Sequence, residues 1–182
     1  MGNKMNYKII AILVTFTAGI AGCSAVPEGL TPVTGFETER YLGKWYEIAR
    51  LDHRFERNLN NVSATYTRSE NGEIQVLNRG YDVKTKEWKE IEGHARLLEG
   101  ETVGSLKVSF FGPFYGGYHI IELDEQNYSY SMVSGPSRSY LWILARTTTL
   151  DDAVYEELVA KASGWGFDTA GLIKVEHNVP DD

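Results

Sequence analysis

Gly43-Lys44-Trp45-Tyr46-Glu47-Ile48-Ala49-Arg50 opens the regularly patterned part of the chain, and Tyr140-Leu141-Trp142-Ile143-Leu144-Ala145-Arg146 closes it about a hundred residues later. Both stretches are rich in aromatic and branched aliphatic residues, the composition of half-buried strands. Counting these two, eight candidate strands follow one another at about 43–51, 62–68, 73–81, 87–98, 105–111, 117–124, 127–134 and 139–146. Turn chemistry separates them: Asn71-Gly72, Glu99-Gly100, Gly112-Pro113, 124–127 and Gly135-Pro136. Such short connections make sequential strands antiparallel neighbours. The order predicts an all-β fold, an eight-stranded antiparallel up-and-down barrel, whose interior is wide enough for side chains or one small ligand.

One helix follows, with Thr149 as its cap, Asp151 and Asp152 in the first turn, and Leu150, Val154, Leu158 and Ala162 on one stripe. It should end at Gly164 and pack outside the barrel through that stripe. A last short strand is predicted at 172–175.

The first 22 residues carry a different signal. Lys4 and Lys8 precede the apolar run 9–20, too short to span a bilayer and suited to a secretory signal. Ile20-Ala21-Gly22-Cys23 resembles a lipobox, which implies cleavage before Cys23 and diacylation of its thiol. The alternative is an ordinary cleavage site with Cys23 incidental. The chain then divides into a signal peptide at 1–22, a lipidated tether at 23–34 and a barrel domain at 35–182. Removing residues 1–22 takes away two lysines and no acid, so a net charge of −7 becomes about −9. A chain this acidic is a poor partner for nucleic acid. With its single cysteine lipidated, no thiol remains for a disulfide, a nucleophile or a metal site.

Three blocks carry a family resemblance: 45–50, Phe110-Phe111-Gly112-Pro113-Phe114-Tyr115-Gly116-Gly117, and 140–146. Together they resemble the bacterial lipocalins, relatives of apolipoprotein D, over residues 34–177. The family's middle Thr-Asp-Tyr motif is replaced by Leu123-Asp124-Glu125. The resemblance implies that Gly43, Trp45 and Arg146 form the structural signature, with the Arg146 guanidinium over the Trp45 indole at the closed end. A cation so placed contributes roughly 0.5–2 kcal/mol. It also implies a lipid-binding function. The ligand would be a fatty acid or lysophospholipid, held for storage, scavenging or transport by a protein anchored through Cys23 in the outer membrane and facing the periplasm.

Strand parity names the lining, because alternate residues share a face. Trp142 shares parity with Leu144 and Arg146 and should point inward. Ile91, Gly93 and Ala95 form one face of the fourth strand, and Leu106, Val108 and Phe110 one face of the fifth. In the seventh strand, either Ser129, Ser131 and Val133 line the interior while Tyr130 and Met132 pack under the helix, or the reverse; the family pattern favours the first. Small residues at Gly93, Ala95, Ser129 and Ser131 point to a cavity, although aromatics on small barrels can equally be filler. Glu47 shares parity with Trp45, so burial would require a partner such as Arg79 or a ligand group.

The loop 52–58 lies where lipocalins carry a lid. There Arg54, Phe55 and Arg57 could receive an anionic or zwitterionic head group, or could form a solvated turn with a local Glu56–Arg57 pair. Phe114 and Tyr115 would present aromatics at one barrel end, to a membrane, to a second subunit in a homodimer, or to nothing. No Gly-x-Ser-x-Gly elbow is present, and His53, His94, His119 and His177 lack metal-ligand spacing. The sequence therefore predicts no catalytic residues, metal or cofactor. The competing functions are a structural lipoprotein with no bound lipid and, more remotely, a lipid-modifying enzyme.

Overall fold

Alternate residues of the strands turn mostly apolar side chains to a common interior, and closing the sheet buries them. In the computed structural model, which describes residues 24–180, the strands are β1 (Gly43–Leu51), β2 (Leu59–Arg68), β3 (Ile74–Asp82), β4 (Glu87–Leu97), β5 (Ser105–Phe111), β6 (Phe114–Leu123), β7 (Tyr130–Ser134) and β8 (Leu141–Ala145). Each pairs antiparallel with the next, β8 returns to β1, and β1 also pairs with β2, so the eight strands close. A ninth strand, β9 (Leu172–Lys174), adds to the second half of β1 where β2 has diverged. The proposed lipidation site Cys23 and the signal at 1–22 lie outside the described residues.

Two apolar clusters fill the molecule. The inner one runs through Phe36, Trp45, Tyr66, Val76, Ala95, Leu106, Val133 and Leu144 inside the barrel. The outer one joins Ala49, Met132, Leu141 and Ile143 of the wall to Leu158 and Ala162 of the helix α2 (Asp152–Gly164). The seventh strand thus adopts the first of its two alternatives: Ser131 and Val133 face in, while Tyr130 and Met132 lie beneath the helix. Ser129 does not join them. It precedes the strand, is exposed, and bonds to Asp124.

The cap of α2 is Asp151, whose carboxylate accepts from the backbone N–H groups of Ala153 and Val154 at 2.9 and 3.3 Å, and not Thr149 as the sequence suggested. A one-turn helix, α1 (Thr38–Tyr41), was not foreseen; it lies across the base of the barrel, Tyr41 and Trp45 stacking at 4.7 Å. Residues 24–34 lie along the wall: Val26 and Leu30 join the outer cluster, and the Val33 N–H donates to the Ile120 carbonyl at 2.9 Å.

The two ends of the barrel differ. The base is formed by α1 with the turns 69–72, 98–104 and 124–129, and the mouth by the loop 52–58 with the turns 83–86, 112–113 and 135–140.

Candidate functional site

At the base, the Arg146 guanidinium carbon lies 3.9 Å from the Trp45 ring centroid. Its nitrogens donate to the carbonyls of Lys44, Arg40 and Tyr128 at 3.0, 2.7 and 3.3 Å, and Trp45 Nε1 donates to the Tyr41 carbonyl at 2.8 Å. Gly43 sits at φ +94°, and a Cβ there would meet Arg146 Nη1 at 3.3 Å, so glycine answers both the backbone and the packing.

Above this seal lies a cluster of phenols. Tyr118 Oη is 2.7 Å from Tyr41 Oη and accepts from Tyr66 Oη at 2.9 Å, while Ser131 Oγ is 3.2 Å from Tyr41 Oη. Burial pushes the Tyr41 hydroxyl up to about 12, and pushes Tyr66 and Tyr118 well up too, so all three stay neutral donors. The void beside them, lined by Phe36, Tyr41, Tyr66, Ile74, Leu106 and Tyr118 among others, is about 10 Å³, room for one water at most.

The predicted apolar lining is brought together on the inner face of β4 and β5. Ala95 is fully buried opposite Val108, Leu106 is buried opposite Leu97, and both Val108 and Phe110 pack on the inner cluster. Gly93 contributes close approach and not open space: a Cβ there would lie 2.7 Å from the Phe110 ring. Ile91, half-buried opposite Asn78, stands nearer the mouth. Trp142 packs against the inner cluster and donates through Nε1 to Glu56 Oε2 at 3.2 Å.

That hydrogen bond belongs to a polar group the sequence reading missed. Arg50 is 3 % exposed and donates to Glu47 Oε1 at 2.7 Å and to the carbonyls of Glu56 and Leu59 at 2.9 Å each. His53 Nε2 lies 3.1 Å from Glu56 Oε2, and its ring packs on Phe55, Tyr140 and Trp142. Glu47 is indeed buried, but its partner is Arg50; Arg79 sits on the outer face, 2.9 Å from Glu90 and 4.0 Å over Trp88. Burial, reinforced by the charge of Glu56, raises the Glu47 carboxyl well above the ordinary range despite Arg50. Burial also acts against charge on Glu56, yet the hydrogen bond and charge of His53, with bonds from Glu47 and Trp142, hold it below that range. The two carboxyls beside Arg50 are thus pushed in opposite directions, Glu47 toward its neutral form and Glu56 toward its charged form.

The signal for Arg50 lay hidden by a bulge. Pairing runs Glu47 to Leu144, then Ala49 to Ile143 and Arg50 to Trp142, so an extra residue at Ile48 reverses the parity of β1. In the loop 52–58 the inward residues are His53 and Glu56. Arg54 and Phe55 face outward, the guanidinium 4.7 Å over a ring that is 62 % exposed. The expected Glu56–Arg57 pair is replaced by Arg57 with Asp52 at 3.0 Å, because Glu56 is drawn inward.

The arrangement is an apolar barrel with a phenolic floor and a buried ion-paired wall beneath its mouth. Residues 36–177 match the lipocalin-like domain family. The chain is 51 % identical over 164 residues to the outer membrane lipoprotein Blc of Vibrio cholerae, covering 90 % of this chain and 96 % of that one. To the outer membrane lipoprotein Blc of Escherichia coli K12 it is 46 % identical over 173 residues, 93 % and 97 % of the two chains. Among solved structures, insecticyanin from the tobacco hornworm Manduca sexta superposes with a TM-score of 0.67 at 18 % identity, over 84 % of this chain and 87 % of that one. The chain therefore belongs to the lipocalin family, within its branch of outer membrane lipoproteins.

Proposed function

We propose that the protein, anchored through lipidated Cys23, binds fatty acids or lysophospholipids in the barrel and acts by holding and releasing them, without turnover. The observation that carries this reading is the continuous apolar lining from Trp142 at the mouth to Leu106 and Ala95 deep inside, with its ionisable groups gathered on one wall near the entrance. An acyl chain would bury a few hundred Å² there, a gross gain of several kcal/mol at roughly 25 cal/mol per Å², before ordering costs. The void of about 10 Å³ at the base is too small for such a chain.

Purified protein extracted with organic solvent and analysed by mass spectrometry should release a fatty acid or lysophospholipid. Adding palmitoleic acid or lysophosphatidylethanolamine to delipidated protein should change the tryptophan fluorescence, and most of that change should vanish in Trp142→Phe while affinity is kept. Empty protein with no response to either lipid would favour a structural lipoprotein. Chemical conversion of the added lipid would favour an enzyme.

A further inference from the structure

Four of the exposed large apolar side chains share one end of the barrel. Phe55 is 62 % exposed on the loop 52–58, Val83 46 % on the turn 83–86, and Phe111 and Phe114, at 67 % and 78 %, flank the β5–β6 turn. Water-facing phenylalanines gathered on separate loops at one rim signal an interaction surface. Charge is sorted in the same direction. The mouth segments 52–58, 83–86 and 111–114 expose Arg54, Arg57, Lys84 and Lys86 against a single exposed acid, Asp52. At the base, α1 and the turns 69–72, 98–104 and 124–127 expose Glu39, Glu70, Glu99, Glu101 and Glu125 against a single exposed cation, Arg40. A chain of net charge −7 thus presents its basic end at the mouth.

The path of the N-terminal segment points to the same end. From the base it climbs the outer wall. Arg138, in the mouth turn 135–140, donates to the Glu28 carbonyl at 2.6 Å. Ser24 then reaches β6, its Cα 3.2 Å from where a Gly117 Cβ would be, with the buried His119 ring facing the backbone of Ser24 and Ala25. Gly117 is three residues from Phe114 along the strand, about 10 Å at 3.3 Å per residue. Cys23 is the next residue beyond Ser24.

We propose that the mouth rim, with Phe111 and Phe114 at its tip and Arg54, Arg57, Lys84 and Lys86 around it, docks on an anionic lipid surface and holds the barrel opening against the membrane. Apolar tips enter the acyl boundary while the basic side chains meet anionic head groups, the combination that holds proteins at a bilayer interface. Like charge on two such rims disfavours a second copy as the occupant. Ligand would then pass between bilayer and barrel without crossing open water. The proposal rests on the Cys23 anchor only for the choice of membrane, since the rim is a property of the folded barrel.

The test uses the full lipidated protein in vesicles of phosphatidylethanolamine and phosphatidylglycerol. With Cys23 acylated, Phe114→Cys and Leu98→Cys each offer one thiol for an environment-sensitive fluorophore, at the mouth and at the exposed base respectively. Doxyl-labelled lipid should quench and blue-shift the probe at 114 and leave the probe at 98 unaffected, and Lys84→Glu with Lys86→Glu should reduce that quenching. Equal response at both sites, or none at 114 in protein that still sediments with the vesicles, would overturn the proposal while leaving the anchor intact. Energy transfer between probes at 114 on two molecules, without quenching by lipid, would overturn it in favour of a dimer. A ligand titration of the same samples reports the lipid-binding reading separately.

Discussion

Arg50 and Glu47 meet at 2.7 Å inside the barrel wall although they stand three residues apart on one strand, because the bulge at Ile48 turns both inward. Their pairing fixes the mouth loop, for the same guanidinium holds the carbonyls of Glu56 and Leu59. Arg50→Ala would remove the guanidinium that lies 2.7 Å from Glu47 Oε1 and 3.9 Å from Glu56 Oε2, leaving buried carboxyls and two carbonyls without it. The expected loss is about 3–5 kcal/mol, read by urea denaturation at neutral pH. A variant within 1 kcal/mol of the parent, on the order of an exposed pair, would show that the wall does not need this charge.

The protonation of Glu47 gives the second prediction. Its carboxyl holds a proton to higher pH in the fold than in the unfolded chain, so the native state binds more protons between those two pKa values. Stability should therefore fall as pH rises from the ordinary glutamate range through the raised value. Glu56, held low, acts in the opposite sense, contributing stability that is lost only as pH falls below that range. Glu47→Gln, which mimics the protonated acid, should remove the alkaline slope and keep the acid limb. Denaturation midpoints of parent and variant from about pH 4 to 9 check this, and parallel curves would contradict it.

At the base, Arg146→Ala should cost on the order of 1–3 kcal/mol, combining the stacking on Trp45 with hydrogen bonds to three carbonyls. In a double-mutant cycle with Trp45→Ala the two losses should fall short of additive. Gly43→Ala should destabilise as well, through the strained backbone at φ +94° and the crowded Arg146 Nη1.

The phenol cluster predicts an alkaline signature. Among the tyrosines, Tyr41, Tyr66 and Tyr118 should remain un-ionised until the barrel opens, since burial raises all three. Absorbance of phenolate against pH should show that late group rising with loss of the near-ultraviolet dichroism. Tyr118→Phe, which removes the shared hydroxyl, should cost about 1–3 kcal/mol and reduce the late group by one.

Cys23→Ala tests the anchor. The variant should leave the membrane pellet for the soluble periplasmic fraction, or stay uncleaved, with the barrel folded in either case; stable attachment needs more than one acyl chain, and the processed cysteine is their site. Unchanged fractionation after a salt wash would remove the lipoprotein reading.

Alternation and turn chemistry were sufficient, within the sequence, for the strands, the hairpin order and the inward faces of β4, β5 and β8, because in regular antiparallel strands side-chain direction is set locally by a period of two. The cap moved from Thr149 to Asp151 by a local competition between two good candidates. Tertiary structure alone decided where that period breaks. The bulge at Ile48 sends Arg50 inward and Ala49 out beneath the helix, since the strand must serve β8 along its length while exchanging β2 for β9. It likewise turned Glu56 and His53 into the mouth while leaving Arg54 and Phe55 on the rim. A loop has no period, and the burial of its side chains follows from Arg50, turned inward by the bulge just before the loop, and from Trp142 on a distant stretch of chain.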